Sequence, residues 1–448
     1  MLPPECARLA SGLVAADAAA LCGVLVGGGV AVTSWVLGQL GVDVDAAGRV
    51  VSLTIPSVGL RSLSPAIAGM ERLETLTLID NPAVSDVAAL CSLPALTGLS
   101  ISGCGVSALP DLRCLPRLEG LDVSGNPLGP RAVARVATGW VRGRGLPEWL
   151  GGMPTLARVG VSDCGVEALP AFGPALTMLF ASGNAITSLP PAAWGWRELQ
   201  LVDLARNDLG PAAADPLGTL PALVIVRLSN NPRLASLPPG WAAPNVRLRE
   251  LEAAGCGLAE PLFGVGGANG TWRLLPALEL LGIDQNPALG VATLQRLDGS
   301  ALVKLHVGHV GDADAQRLGG INTTALEELS LTDCPGLTRL PSWVAGPRNL
   351  TTVLVERADL VGTGGVELLT NASVISLIDT PSITALPATL IVKGLVQVFL
   401  RRVGVTSLAP LRAATRLQAA GGATHRPPHP VSSRARGNPP PPLAPQVL

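Results

Sequence analysis

The most ligand-like group of side chains in the sequence is a short run that contains His306, His309, Asp312 and Asp314. Imidazole and carboxylate groups at such close spacing are able to bind a transition metal. His306 falls in a predicted strand, however, and His309 in the turn that follows it. We therefore interpret the four side chains as a polar surface patch and assign no metal ligand and no cofactor.

Motifs for catalysis or nucleotide binding are absent from the sequence. Neither a G-x-x-x-x-G-K-[ST] phosphate-binding loop nor a G-x-S-x-G nucleophile elbow occurs. The formal net charge of −1 removes the electrostatic basis for nucleic-acid binding and for attraction to an anionic membrane. Residues 18–42 carry no charge but contain three consecutive glycines and several polar residues. We predict a protein that is not an enzyme, has no nucleic-acid partner and does not insert into a membrane.

One sequence pattern recurs along most of the chain: apolar-x-x-apolar-x-apolar-x-x-Asn/Cys-x-apolar. Clear copies begin at Leu73, Leu118 and Leu199, and about 15 copies follow one another at intervals that cluster near 23 residues. The central x-apolar-x-apolar-x stretch has a period of two, so it predicts a short strand with one buried face. Stacked repeats of this kind bury each other's apolar faces and place their strands in parallel.

This pattern resembles the signature of the leucine-rich repeat family. The resemblance implies an α/β solenoid, a horseshoe with a concave parallel β-sheet and an irregular or short-helical convex side. Several repeats continue with Leu-Pro, as at Leu189-Pro190, which is similar to the roughly 23-residue repeats of plant and Ras-group members. Residues 1–47, with Trp35 and the Gly48-Arg49-Val50 triplet, resemble the plant-type helical N-terminal cap. Val44 stands where that cap usually has a cysteine.

The Asn/Cys position of the repeat, here called the slot, is expected to turn the chain inward and to satisfy buried backbone groups with a side chain. Val58, Val310, Ala358, Thr380 and Val403 occupy the slot in other repeats, so the ladder should be weaker near the C-terminal end. The predicted structural ladder consists of Asn81, Cys104, Asn126, Cys164, Asn184, Asn207, Asn231, Cys256, Asn286 and Cys334.

The remaining cysteines and the tryptophans leave alternatives open. Cys91 and Cys114 occupy equivalent positions in adjacent repeats, and Cys6 and Cys22 lie together in the cap, so each pair is able to form a disulfide or to remain reduced. The four tryptophans that follow a Leu-Pro by a few residues are expected to fill the core of the convex side. They are Trp149, Trp194, Trp241 and Trp343.

The domain organisation predicted from the pattern has three parts. Residues 1–47 form the cap, with a helix over 5–26; residues 48–417 carry the repeats; and the Pro-rich residues 418–448 form a disordered tail. Insertions interrupt the repeats at 129–145 and at 261–272. The first contains Arg131, Arg135, Arg142 and Arg144 without an acidic residue, which fits a basic protruding loop or a misjudged exon boundary.

Outward-facing residues of the predicted sheet define the candidate partner-binding surface. Met178, Phe180 and Leu201 form an apolar patch on the concave face. Charged side chains are expected beside this patch, an arrangement typical of protein-binding hot spots. They are Asp203, Arg227, Glu250 and Glu252.

Four Asn-x-Ser/Thr sequons suggest a glycoprotein: Asn269, Asn322, Asn349 and Asn371. We predict a non-catalytic, receptor-like or cell-surface recognition module that binds a protein or peptide ligand and is secreted or displayed on the cell surface. A cytoplasmic scaffold of the Ras-group type is the alternative, because no convincing signal peptide precedes the repeats. A fragment of a receptor-like kinase or other enzyme is the second alternative.

Overall fold

The computed structural model describes most of the chain. The described residues are 6–7, 13–130, 133–136, 139–142, 145–242, 247–259, 262, 275–291, 294, 297, 301–387, 395–409, 411 and 419–422. They belong to two compact units, unit 1 within Met1–Asn207 and unit 2 within Asp208–Ser432.

Unit 1 contains two α-helices, α1 (Ala15–Gly27) and α2 (Ser34–Gln39), followed by strands that form a largely parallel sheet. Strand β1 pairs antiparallel with β2, and the later strands each pair in parallel with the preceding repeat. A separate hairpin is formed by β6 and β7. The strands are β1 (Gly41–Val44), β2 (Val50–Pro56), β3 (Thr75–Ile79), β4 (Gly98–Ser100), β5 (Gly120–Asp122), β6 (Val133–Val136), β7 (Gly139–Arg142), β8 (Arg158–Gly160), β9 (Met178–Phe180) and β10 (Leu201–Asp203).

The described residues of unit 2 contain a second run of parallel strands and one short α-helix, α3 (Asp312–Arg317). Each strand pairs with the strand of the next repeat. The strands are β11 (Ile225–Arg227), β12 (Glu250–Glu252), β13 (Leu280–Gly282), β14 (Lys304–Gly308), β15 (Glu328–Cys334), β16 (Thr352–Ala358), β17 (Val374–Thr380), β18 (Gln397–Val403) and β19 (Ala419–Gly422).

The alternation of side chains along each strand separates a core from an open face. In β9, Leu179 is fully buried while Met178 and Phe180 are half-exposed on the other side. The chain returns between strands through short 3₁₀ turns, whose apolar residues complete the core. These turns are Pro65–Gly69, Ala88–Ser92, Leu112–Cys114, Glu148–Gly152, Pro191–Gly195, Asp215–Thr219, Pro239–Ala242, Leu318–Gly320, Ser342–Ala345 and Val366–Leu368.

The N-terminal segment covers the first repeat of unit 1 with a helix that is shorter than expected. The described part of the segment places α1 at Ala15–Gly27, whereas the sequence predicted a helix from residue 5. The fully buried Asp17 binds Arg49, with 3.0 Å between Oδ1 and Nε, and accepts a hydrogen bond from the Val50 amide at 2.6 Å. The helix is therefore tied to the Gly48-Arg49-Val50 triplet by an ion pair that the apolar pattern gave no means to predict.

Two segments differ from the expected repeat plan. Residues 133–142 of the first insertion contain the antiparallel β6–β7 hairpin, a regular element within what was predicted as a loop. Strand β19 lies within the predicted disordered tail and pairs with β18, because the edge of a sheet offers unpaired backbone groups to any chain that follows. The rest of 418–448 and nearly all of the 261–272 insertion lie outside the described residues.

Candidate partner-binding face

The apolar part of the predicted surface lies on two neighbouring strands of unit 1. Strands β9 and β10 pair so that Met178 stands opposite Leu201, and Phe180 opposite Asp203. All four side chains are half-exposed. The Asp203 carboxylate accepts a hydrogen bond from the Ala205 amide at 3.0 Å, which holds it at the border of the patch. Unit 1 thus offers adjacent sulfur, aromatic and aliphatic groups with a carboxylate beside them.

Small residues line the other strands of the unit 1 face. Gly98 and Gly120 stand opposite each other on β4 and β5, and a serine lies two residues before the slot at 102, 124 and 162, the first two of them buried. The Ser124 hydroxyl accepts a hydrogen bond from the Ser162 amide at 3.1 Å, and the Ser162 hydroxyl accepts one from the Ser182 amide at 3.2 Å. Sequence reasoning missed this serine column, although a serine two residues before the slot in successive repeats is a signal that could have revealed it.

Ion pairs dominate the first strands of the unit 2 face. Arg227 on β11 contacts both acidic residues of β12, at 3.4 Å from Nη2 to Glu250 Oε2 and at 3.3 Å from Nε to Glu252 Oε1. The three side chains are about one-third exposed. The structure therefore brings Arg227, Glu250 and Glu252 together, but as a cluster that is already internally paired.

A second charged group follows on β14 and β15. Lys304 Nζ lies 3.3 Å from Glu328 Oε2, and His306 Nε2 lies 3.0 Å from Glu328 Oε1. The hydrogen bond from His306 lowers the pKa of Glu328 despite its partial burial. Burial is the main cause that raises the pKa of Asp284, which stands on the β13 side of the same face.

The His/Asp run does not converge on one point. His306 binds Glu328, Asp312 accepts a hydrogen bond from the Thr338 amide at 2.7 Å, and Asp314 pairs with Arg317 at 3.0 Å. No group of three or more His, Cys, Asp or Glu side chains in the described ranges is arranged to hold a metal ion.

Asparagine side chains in the slot each link two repeats. Asn286 is representative: its Oδ1 accepts hydrogen bonds from the amides of Cys256 and Leu258 at 2.9 and 3.0 Å, and its Nδ2 donates to the carbonyls of Ala253 and Ile283 at 2.9 Å each. The other slot asparagines make equivalent contacts with backbone groups. These are Asn81, Asn126, Asn184, Asn207 and Asn231.

Backbone geometry next to the slot explains part of the sequence. The residue before the slot has a positive φ, for example +52° at Asp80 and +64° at Gly103. Glycine adopts this conformation without strain, and a Cβ at 103 would also require the Asp80 side chain to move, since it would lie 2.2 Å from Oδ1.

Cysteine replaces asparagine in four repeats as a buried free thiol. Three of them lie close to a carbonyl of the preceding repeat, the shortest contact being 3.1 Å from Cys256 Sγ to the Leu228 oxygen. Burial raises the pKa of these thiols, to about 12 at Cys164 and Cys256 and to about 11 at Cys104 and Cys334. Such groups are poor nucleophiles, because the thiolate is the reactive form.

The four other cysteines form disulfides. Cys6 is bonded to Cys22 in the N-terminal segment, and Cys91 to Cys114 across adjacent repeats of unit 1. Cys91 and Cys114 are exposed, so their bond lies on the surface.

The tryptophan assignment requires one correction. Trp241 is 2% exposed, as expected for a core residue, and Trp149 and Trp343 are half-buried, but Trp194 is 53% exposed. The fully buried indole of that repeat is Trp196, whose Nε1 donates to the Phe172 carbonyl at 3.0 Å. The error arose because Trp194 lies five residues before the next repeat begins, whereas the other three tryptophans lie seven before it.

The sequon asparagines lie in unit 2. Asn322, Asn349 and Asn371 are exposed, each a few residues before a strand begins, while Asn269 lies outside the described residues. The helices of the described segments are all too short or too polar to cross a bilayer.

Comparisons with known proteins support the fold alone. Neither a protein-family model nor a curated protein matches the chain. Among solved structures, it is similar to a leucine-rich repeat protein of Leptospira interrogans, with 16% identity over 83% of this chain and 95% of that one, at a TM-score of 0.56. It is also similar to the functional domain of InlJ from Listeria monocytogenes, which includes a cysteine ladder, with 14% identity over 83% and 67% of the two chains and a TM-score of 0.52.

Proposed function

This chain has the leucine-rich repeat fold, and from that premise we propose that it is a non-catalytic recognition module whose open sheet face binds a protein or peptide partner. We further propose that it acts in a receptor-like role, as a secreted or cell-surface protein.

The observation that carries the binding proposal is the apolar patch of unit 1. Met178, Phe180 and Leu201 are half-exposed on adjacent, in-register strands, although the core of the unit is filled by other residues. Clusters of apolar side chains beside charged groups mark interaction surfaces more often than isolated apolar residues do. The patch lies outside the leucine core of the repeats, and recognition is the explanation that we favour for it.

The charged clusters of unit 2 fit a polar contact surface. Arg227 is held between two glutamates, and Glu328 contacts both Lys304 and His306, so the orientations of these side chains are fixed before any ligand arrives. Pre-oriented polar groups reduce the entropy lost on binding and contribute to specificity. Within unit 2 we therefore expect them to select among ligands rather than to supply most of the affinity.

The disulfides favour the extracellular proposal over the cytoplasmic alternative. Disulfides persist in oxidising compartments, whereas cytosolic thiols are kept reduced. The Cys91–Cys114 bond lies on exposed residues, where reductants would reach it. Peptide mapping of the native protein without reduction tests this point: free thiols at Cys91 and Cys114 would contradict the extracellular assignment.

The binding proposal is tested by comparing two substitutions on one face of unit 1. Affinity capture with the full chain first supplies a partner. We expect Phe180→Ala to weaken its binding by about 2 kcal/mol, as for a hot-spot residue, without changing the thermal midpoint. Thr77→Ala, also half-exposed on this face, is the matched control and should leave binding unchanged. Full binding by a triple alanine variant at 178, 180 and 201 would refute the patch.

A further inference from the structure

Three acceptor triplets for N-linked glycans lie along one edge of the unit 2 sheet. Asn322, Asn349 and Asn371 precede β15, β16 and β17, which begin at Glu328, Thr352 and Val374. These strands are parallel and in register, so the segments that lead into them meet at the same edge. Asn349 and Asn371 also occupy equivalent places, each directly before a buried residue of its repeat.

The side-chain amides at this edge differ from those of the slot asparagines. The side-chain amides of Asn349 and Asn371 make no hydrogen bond to any other described residue, and both residues are exposed. Asn322 uses only its oxygen, which accepts a hydrogen bond from the Thr324 hydroxyl at 2.9 Å within its own triplet. By contrast, Asn286 in the slot donates its amide hydrogens to two carbonyls.

The sequence divides the asparagines in the same way. Every slot asparagine lacks a Ser or Thr two positions later, and four of the six are followed directly by proline. The acceptor triplets are thus confined to asparagines whose amides are exposed or lie outside the described residues. A glycan at 322, 349 or 371 would project into solvent without breaking a contact between repeats.

We propose that Asn322, Asn349 and Asn371 are N-glycosylation sites that cover the amino-terminal edge of the unit 2 sheet. In this reaction Asn Nδ2 forms a bond to C1 of the first sugar of an oligosaccharide carried on a lipid diphosphate. The bond from C1 to the diphosphate oxygen breaks, the lipid diphosphate leaves with the bonding electrons, and the amide loses one proton. No atom is oxidised or reduced.

Glycans at these positions would leave the opposite edge of the unit 2 sheet free. That carboxyl-terminal edge carries exposed ion pairs, including Arg357 with Asp333 and Arg402 with Asp379. A partner of unit 2 would approach over this charged edge, because the amino-terminal edge is covered by sugar.

The test uses the full chain, secreted from a eukaryotic cell behind a cleavable leader. Both cell-associated and secreted protein are treated with a peptide N-glycosidase in ¹⁸O-labelled water and mapped by mass spectrometry. We expect ¹⁸O-labelled aspartate at 322, 349 and 371 in most molecules, and unlabelled asparagine at slot positions 184 and 286.

Matched variants separate modification from folding. Asn349→Gln and Thr351→Ala should each remove one glycan, seen as a single step in gel mobility, whereas Thr351→Ser should retain it. Unlabelled asparagine at all three sites in the membrane-translocated protein would overturn the inference, as would labelling at the slot. The inference assumes the extracellular compartment proposed above. Disulfide mapping of the native protein tests that compartment separately, so closed disulfides in the native protein with unmodified sites in this test would overturn the inference alone.

Discussion

Two parts of unit 2 hold their repeats together in different ways. Strands β11–β13 are three residues long and are followed by Asn231, Cys256 and Asn286 in the slot. Strands β15–β18 are seven residues long, and their slots hold Cys334, Ala358, Thr380 and Val403.

In the short-strand part, side chains satisfy the backbone at the inward turn. Asn286 alone contacts two amides and two carbonyls. In the long-strand part, the backbone does this itself: the pairing continues to the slot, where Cys334 stands opposite Ala358 and Thr380 opposite Val403.

The backbone groups at the slot are thus paired in two different ways within unit 2. At Asn231 and Asn286 an amide side chain satisfies these groups, whereas along β15–β18 the strand pairing itself reaches the slot. The sequence led us to expect a weaker ladder at the C-terminal end. The structure shows a different ladder there, built from main-chain pairs and edge ion pairs.

The largest expected effect tests the short-strand part. Replacing Asn286 with alanine leaves the buried amides of Cys256 and Leu258 without their acceptor, so the free energy of unfolding should fall by about 3 kcal/mol. Urea unfolding of the full chain measures it. Asn322→Ala, an exposed asparagine of the same unit, is the control and should change stability by less than about 0.5 kcal/mol. Similar losses in the two variants would contradict the role of the slot.

The second expected effect is a difference in thiol reactivity between the short-strand and the long-strand parts. Cys256 Sγ lies 3.1 Å from a carbonyl of the preceding repeat, whereas the contact of Cys334, at 3.4 Å, is to Thr332 in its own turn. Burial raises the pKa to about 12 at Cys256 and about 11 at Cys334. Near pH 8 the native protein should therefore label Cys334 faster than Cys256. Labelling in denaturant should abolish the difference; faster native labelling of Cys256 would reverse our comparison.

The ion pairs on the carboxyl-terminal edge should give a smaller, salt-dependent effect. Arg357 Nη2 lies 2.7 Å from Asp333 Oδ2, and the arginine side chain is 41% exposed. Arg357→Gln should lower stability by less than about 1 kcal/mol at low salt and by nothing measurable near 1 M salt. Arg249→Gln, which removes a 3.5 Å surface pair at the short strands, is the control.

The same ion pair predicts a pH dependence. Arg357 lowers the pKa of Asp333 from 3.8, so its stabilising effect is present above that value and is lost as the pH falls through the lowered pKa. The difference between wild type and Arg357→Gln should therefore be constant near neutrality and vanish in acid. A difference that persists in strong acid or in high salt would show that arginine packing, not its charge, matters.

The repeat pattern was sufficient to predict the fold, because inward leucines at fixed spacing determine where each strand lies. The motif that begins at Leu278, for example, correctly places β13 at Leu280–Gly282. Strand length was not predictable, since it depends on whether the slot side chain or the backbone closes the turn. The convex side was less predictable: distance from a Leu-Pro pair does not show which face of the turn a residue occupies, so the sequence selected Trp194 where the core contains Trp196.

The candidate site was only partly accessible to sequence reasoning. Alternation along β9 and β10 places Met178, Phe180 and Leu201 outward, but alternation says nothing about partners of side chains. The pairing of Arg227 with two glutamates and the link between Asp17 and Arg49 depend on side-chain conformations in three dimensions. The binding role of these residues stays a prediction.

The smallest expected effect concerns Thr380, the only slot hydroxyl of the long strands β15–β18. Thr380 is fully buried and its Oγ1 has no hydrogen-bond partner among the described residues. A buried hydroxyl without a partner is unfavourable, so Thr380→Val, which keeps the shape, should raise the free energy of unfolding by roughly 0.5–1 kcal/mol. Ser376→Ala, at a buried outward position of the same strand, provides the comparison. Destabilisation by Thr380→Val would mean that the hydroxyl contributes to the turn, and that the long strands also depend on a slot side chain.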